Sequence, residues 1–211
     1  MDAELDTKSR LLDAAEALFA DHGFTDASLR AITGRAGANL AAVNYHFGGK
    51  EELFEAVLAR TLQPMNEERL RRLDALEATG DPTLEGLLEA FLGPPFELKE
   101  SHGERGASFM RLMGHASSDP TAHVRELVIA QFRDVFARFL PAFAKALPEL
   151  PPRELVWRVF FTVGSMLHTM AMADDVQRVA EPLLQLGAGD RNFDRLVRFA
   201  AAGLRAPVEA G

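Results

Sequence analysis

Apolar residues recur every three or four positions along most of this chain. No stretch alternates apolar and polar residues long enough to make a strand. Ala, Leu, Glu and Arg abound, whereas Val, Ile and Tyr are sparse, and the pattern predicts an all-α protein. Leu11, Ala15, Leu18 and Phe19 share one face of a first helix over residues 7–21, stopped at Gly23. Ser28 caps a second helix over residues 29–35, which Gly37 ends. Asn39 caps a short third helix from Leu40 to about Phe47. Gly48-Gly49 makes the next break. A long amphipathic helix follows from Lys50, with Leu53, Phe54, Val57, Leu58 and Leu62 inward and a kink at Pro64.

Beyond a stop at Gly80-Asp81-Pro82, helices are expected near residues 83–92, 104–116, 121–146, 153–179 and 191–204. Pro94-Pro95 and the segments 117–120, 147–152 and 186–190 separate them. The expected plan is a three-helix head over residues 1–49 and a helical body over residues 50–211. Residues 50–78 form a connector helix between them.

Composition narrows the chemistry. With 211 residues, 47% of them apolar, the chain can bury a core. The absence of cysteine excludes a disulfide scaffold, a cysteine-ligated zinc or iron–sulfur site and a cysteine nucleophile. The first residues, Met1 to Asp6, are acidic and carry no apolar run, so no signal peptide is expected. The longest charge-free run, residues 159–173, is too short to span a bilayer and reads as a buried helix. A soluble cytoplasmic protein without membrane attachment is expected.

The net charge of -8 disfavours bulk attraction to nucleic acid, yet the charge is unevenly placed. Residues 27–50 hold Arg30, Arg35 and Lys50 and no acid, so this segment carries +3 and the remainder -11. Within it, a helix, a glycine-containing turn and a second short helix have the layout of a helix-turn-helix. The second helix, residues 40–46, would enter the major groove. Leu40 opens the inserted stretch, and the small Ala41 and Ala42 permit close approach. Asn39, Ala42 and Asn44 would face bases, and an asparagine amide matches the edge of adenine. Ser28, Arg30, Tyr45, His46 and Lys50 are donors suited to phosphate oxygens.

Residues 7–54 resemble the DNA-binding domain of TetR-type transcriptional regulators. The matching residues are Ile32, Ala36-Gly37, His46-Phe47 and Lys50-Glu51-Glu52-Leu53. Where that family usually carries a tyrosine two residues before His-Phe, this chain has Asn44. Thr33, Ala38 and Asn39 also depart from the usual residues, which implies an operator preference of its own. The resemblance implies a homodimeric repressor, an operator of double-stranded DNA and a small-molecule effector bound in the body. A narrower resemblance, to the fatty-acid-responsive PsrA-like branch, rests on residues 39–47, on Pro64, and on Trp157-Arg158 with Phe161, Gly164 and His168. It implies a long-chain fatty acid or acyl-CoA as effector.

The body is rich in phenylalanine and methionine, which suit an adaptable apolar pocket as well as an ordinary core. Candidate lining residues are Phe109, Met113, Phe132, Phe136, Trp157, Phe161 and Met172. His168 is a further candidate contact, although a histidine in an apolar run is more often a hydrogen-bonded core residue. Phe193, Leu196, Val197, Ala200 and Leu204 form an apolar stripe. Together with residues 159–173 it is a candidate dimer face, closing a four-helix bundle between two copies. Intramolecular packing is the alternative.

No HExxH pair, P-loop or dinucleotide fingerprint is present, and no metal, cofactor or enzymatic activity is expected. The reading is a ligand-responsive dimeric repressor. Its alternatives are a helical small-molecule carrier without DNA function and a helical enzyme.

Overall fold

A computed structural model describes residues 2–101, 103–119, 121–184 and 192–208, and among these all regular structure is helical. The helices are α1 (Asp2–Asp26), α2 (Leu29–Ala36), α3 (Leu40–His46), α4 (Lys50–Ala78) and α5 (Leu84–Ser101). They continue as α6 (Glu104–Ser118), α7 (Ala122–Ala130), α8 (Arg133–Ala146), α9 (Pro152–Leu184) and α10 (Asn192–Arg205). The chain gathers into two compact units, residues 1–65 with 99–133 and residues 66–98 with 134–211. The division therefore falls inside α4, next to Pro64, and not at the expected 49/50 boundary. The helices α6 and α7 join the N-terminal helices instead of the body.

In the first unit, the apolar faces of α1 and α4 meet. Leu11, Ala15, Phe19, Leu53, Phe54, Val57 and Leu58 are buried there, and α6 adds Phe109, Leu112 and Met113. The Phe19 and Phe54 rings meet edge to face, their centroids 5.0 Å apart. Gly23 breaks α1 as expected, at φ 75°, a conformation that costs an L side chain free energy. His115 of α6 lies against it, so a Cβ at that position would stand 3.3 Å from Nδ1. Arg60 ties α4 to α1 through Asp13, at 2.6 Å, and Glu16.

The second unit departs from expectation in α5, which runs unbroken through Pro94-Pro95. Those prolines have no N–H, so the carbonyls of Ala90 and Phe91 lose their helical donors. Arg69 Nε donates to the Phe91 carbonyl at 2.8 Å, and its Nη1 donates to Asn66 Oδ1 at 2.7 Å. A buried guanidinium thus restores one of the two missing bonds. Burial lowers the Arg69 pKa to about 10.

The expected helix over residues 121–146 is two helices, parted at Gln131-Phe132. Phe139 and Phe143 on α8 pack around Phe91, with ring centroids 5.1 and 5.9 Å away. Arg158 Nη1 donates to the carbonyls of Gly203 and Leu204, both at 3.1 Å, and so fastens α9 to the last turn of α10. The expected break at 186–190 lies outside the described residues.

Candidate nucleic-acid interface

Two capped helices build the head. Ser28 Oγ accepts from the Ala31 N–H at 3.1 Å, and Asn39 Oδ1 accepts from the Ala42 N–H at 2.9 Å. Gly37 adopts the left-handed conformation (φ 60°, ψ 36°) that turns α2 into α3. Ile32 and Val43 are fully buried, and α2 and α3 pack on α1 and on each other. This leaves the other side of α3 in solvent: Leu40, Ala41, Asn44 and Tyr45 are exposed, and Ala42 and His46 are half-buried. Tyr45 is 75% exposed, and its ring stands edge to face on that of His46, 5.0 Å away. Ser28, Arg30 and Arg35 are exposed on α2 and its cap.

Two of the expected contacts carry structural duties. The Asn39 amide oxygen is engaged in its cap. Lys50 Nζ donates to the Thr25 carbonyl at 3.2 Å and stands 4.6 Å from the centre of the Phe24 ring. Burial lowers the Lys50 pKa, and Asp26 opposes that shift. Lys50 thus fastens the start of α4 to the end of α1, beside α2 and α3.

The body residues are redistributed. Phe109 and Met113 are buried and Phe132 half-buried, all three in the first unit. Phe136, Trp157, Phe161, His168 and Met172 belong to the second unit. Neither unit by itself gathers the eight candidates around one cavity. Trp157, Phe161, His168 and Met172 are exposed along α9. The run 159–173 is therefore not a buried helix, because much of one side is solvent-facing. Its apolar stretch extends over Pro152–Met172, which by length and composition could cross a membrane.

The expected dimer stripe faces inward. Leu196, Val197, Ala200 and Leu204 are buried within the chain, where α10 packs on α9. Phe193 is half-buried against Phe96, with centroids 5.2 Å apart. A helical stripe read from sequence says which side is covered but not by what, and here the same chain covers it. The large exposed apolar side chain of α10 is Phe199. A hollow of about 370 Å³ lies among Ala146–Leu150 and Leu204–Val208, and none of the eight pocket candidates lines it.

Residues 89–203 match the family model described as the tetracyclin repressor-like C-terminal domain. Residues 11–57 match that of the bacterial regulatory proteins of the tetR family. The chain belongs to the TetR family. That family comprises transcriptional regulators, not enzymes.

Among its TetR-family relatives are two HTH-type transcriptional regulators of Pseudomonas putida. SrpR is 34% identical over 89 residues, 42% of this chain and 41% of that protein. TtgW is 34% identical over 89 residues, 42% of this chain and 66% of that protein. The matched stretch thus spans less than two thirds of either relative. The solved structure of SmeT, the repressor of the Stenotrophomonas maltophilia multidrug efflux pump SmeDEF, superposes with a TM-score of 0.63. It is 26% identical and covers 93% of this chain and 91% of that one. SmeT has also been solved as a triclosan complex, which matches with a TM-score of 0.61 at 24% identity, over 95% of both chains.

The TetR-family head also has neighbours that sequence reasoning overlooked. Lys8 of α1 lies 5.8 Å from the centre of the Phe47 ring, beside the end of α3. Arg10 reaches the Gly37 turn, its Nη1 3.7 Å from where a Cβ there would lie. Both sit outside the acid-free segment, and only the packing of α1 brings them to the head.

Proposed function

We propose that this protein is a dimeric repressor that sets α3 of each subunit into successive major grooves of a palindromic operator. The observation that carries the reading is the outward face of α3. Leu40, Asn44 and Tyr45 are exposed on a helix capped at both ends, in a segment without a single acid. Asn44 and Ala42 face bases, while Ser28, Arg30, Tyr45, His46 and Lys50 fix the phosphate register.

The second copy covers the apolar side of α9 and the exposed Phe199 of α10. This replaces the buried stripe of α10 as the dimer face. The effector is a small apolar molecule, with a long-chain fatty acid or acyl-CoA as the first class to test. The resemblance of residues 39–47 and of the Trp157–His168 segment to the fatty-acid-responsive branch supports that class. The triclosan complex of SmeT supports a small-molecule effector in general. The effector releases DNA by favouring a conformer whose reading helices are wrongly spaced, and α4 with Pro64 carries the change. The protein acts in the cytoplasm.

Selection of bound duplexes from a random pool tests the DNA reading. The wild type is expected to enrich a palindrome and to bind it with affinity that falls steeply as salt rises. Asn44→Ala should relax the preference at particular bases, and Tyr45→Ala should weaken binding to every duplex. Failure to enrich any duplex overturns the reading. Mass spectrometry of the natively purified protein tests the effector class, and saturable binding of long but not short acyl chains is the expected result.

A further inference from the structure

The side of α9 that faces solvent has relief as well as apolarity. Trp157, Phe160 and Phe161 form a ridge, with ring centroids 6.0 to 6.5 Å apart. One turn further on the ridge drops to Gly164, which is exposed, and His168 rises beyond it. Among the described residues, a methyl group built on Gly164 meets nothing within 4 Å. The chain's own packing therefore does not require glycine there. In an exposed helix interior glycine is unfavourable relative to alanine. A glycine with no reason inside its own subunit, set between the aromatic ridge and His168, leaves a gap in that face.

We propose that Gly164 is the point at which α9 crosses its counterpart in a second copy of this chain. The gap admits the partner at close range, and aromatic side chains of each copy fill the gap of the other. Ridge and gap lie on one face, so the surface is complementary to itself, as an isologous two-fold contact requires. Area agrees. Trp157, Phe160 and Phe161 are 50%, 64% and 62% exposed. At about 150–250 Å² per aromatic side chain they expose on the order of 350 Å². A standard interface takes roughly 800 Å² per partner, and Val156, Met172, Val176 and Val179 of α9 are also exposed. The inference rests on the dimer proposed above and adds where the helices cross and why.

The test is the dimer dissociation constant of the full chain, by sedimentation equilibrium, for the wild type, Gly164→Ala and Gly164→Leu. Gly114→Ala serves as control, since Gly114 is also exposed on a helix with open space around it. In the monomer each substitution should raise the folding constant by about fivefold, because the helix gains propensity. In the dimer the sign reverses at position 164 alone. Gly164→Ala should raise the dissociation constant by about tenfold and Gly164→Leu by about a hundredfold or more, a packing clash of ordinary size. Gly114→Ala should leave it unchanged. A dimeric wild type whose constant is unmoved by both Gly164 variants overturns the crossing and leaves the dimer standing. A monomeric wild type, or one that is monomeric in solution and sediments with lipid vesicles through α9, overturns the dimer and the crossing together.

Discussion

Lys50 combines a positioning contact with a proposed phosphate contact, and the two are separable by experiment. Its amine is half-buried on the Phe24 ring and bonded to the Thr25 carbonyl, so it holds the start of α4 at the edge of the head. Lys50→Ala is expected to weaken binding to all duplexes alike. If the amine also neutralises a phosphate, the slope of log affinity against log salt falls by about 0.9 for each subunit bound, about 1.8 for the proposed dimer. A loss of affinity with an unchanged slope would assign Lys50 to positioning alone.

Glu68 shows a second residue-scale effect. Hydrogen bonds from Arg71 and Arg72 hold its pKa at about 2, well below the ordinary 4.5. A carboxylate with a depressed folded pKa stabilises the fold above its unfolded pKa, and that contribution disappears as pH falls from about 4.5 towards 2. Glu68 is only partly covered, so the effect is small and screened by salt. Urea midpoints should favour the wild type over Glu68→Gln at pH 7 and converge near pH 2. A gap that does not change with pH would contradict this account.

At the scale of the element, α5 shows how far local rules reach. Two adjacent prolines normally end a helix. The chain continues because Arg69, more than twenty residues earlier on α4, supplies the donor that Pro95 lacks at the Phe91 carbonyl. No local pattern announces such a pairing. Removing Arg69 as Arg69→Met should leave that buried carbonyl without its donor, at a cost of about 1–3 kcal/mol. Pro95→Ala restores the N–H, so Arg69→Met should cost less in the Pro95→Ala background. A double-mutant cycle in urea measures the coupling, and strictly additive costs would refute the substitution of one donor for the other.

The head helices were legible for the opposite reason. Ser28, Gly37 and Asn39 act within three residues of themselves, and each appears where its chemistry predicts. The apolar stripe of α10 was legible as a stripe, but its partner was not. Periodicity marks a covered face, while the identity of the cover is a tertiary fact. Three of the eight pocket candidates fall in the first unit and five in the second, a division that the sequence pattern does not announce. Apolar composition in helices that occupy separate units says nothing about which residues meet.

For the whole molecule, the charge division and the exposed face of α9 act together. The acid-free span carries +3 on a chain of -8, so affinity for DNA must come from a small head opposed by an acidic remainder. One head of this kind makes few phosphate contacts, and pairing two heads on one operator multiplies their effect through a high effective concentration. In the proposed dimer, pairing through α9 is therefore the step on which repression would depend. Trp157 reports it directly. It is the only tryptophan in the chain, half exposed, and part of the aromatic ridge beside Gly164. In the absence of DNA and effector, dilution should shift its emission to the red as the ridge meets water. The midpoint of that shift should coincide with the dimer dissociation constant from sedimentation, and Gly164→Leu should show the red-shifted emission at every concentration. An emission maximum that stays constant while the dimer dissociates would place the contact elsewhere on the molecule and detach the aromatic ridge from assembly.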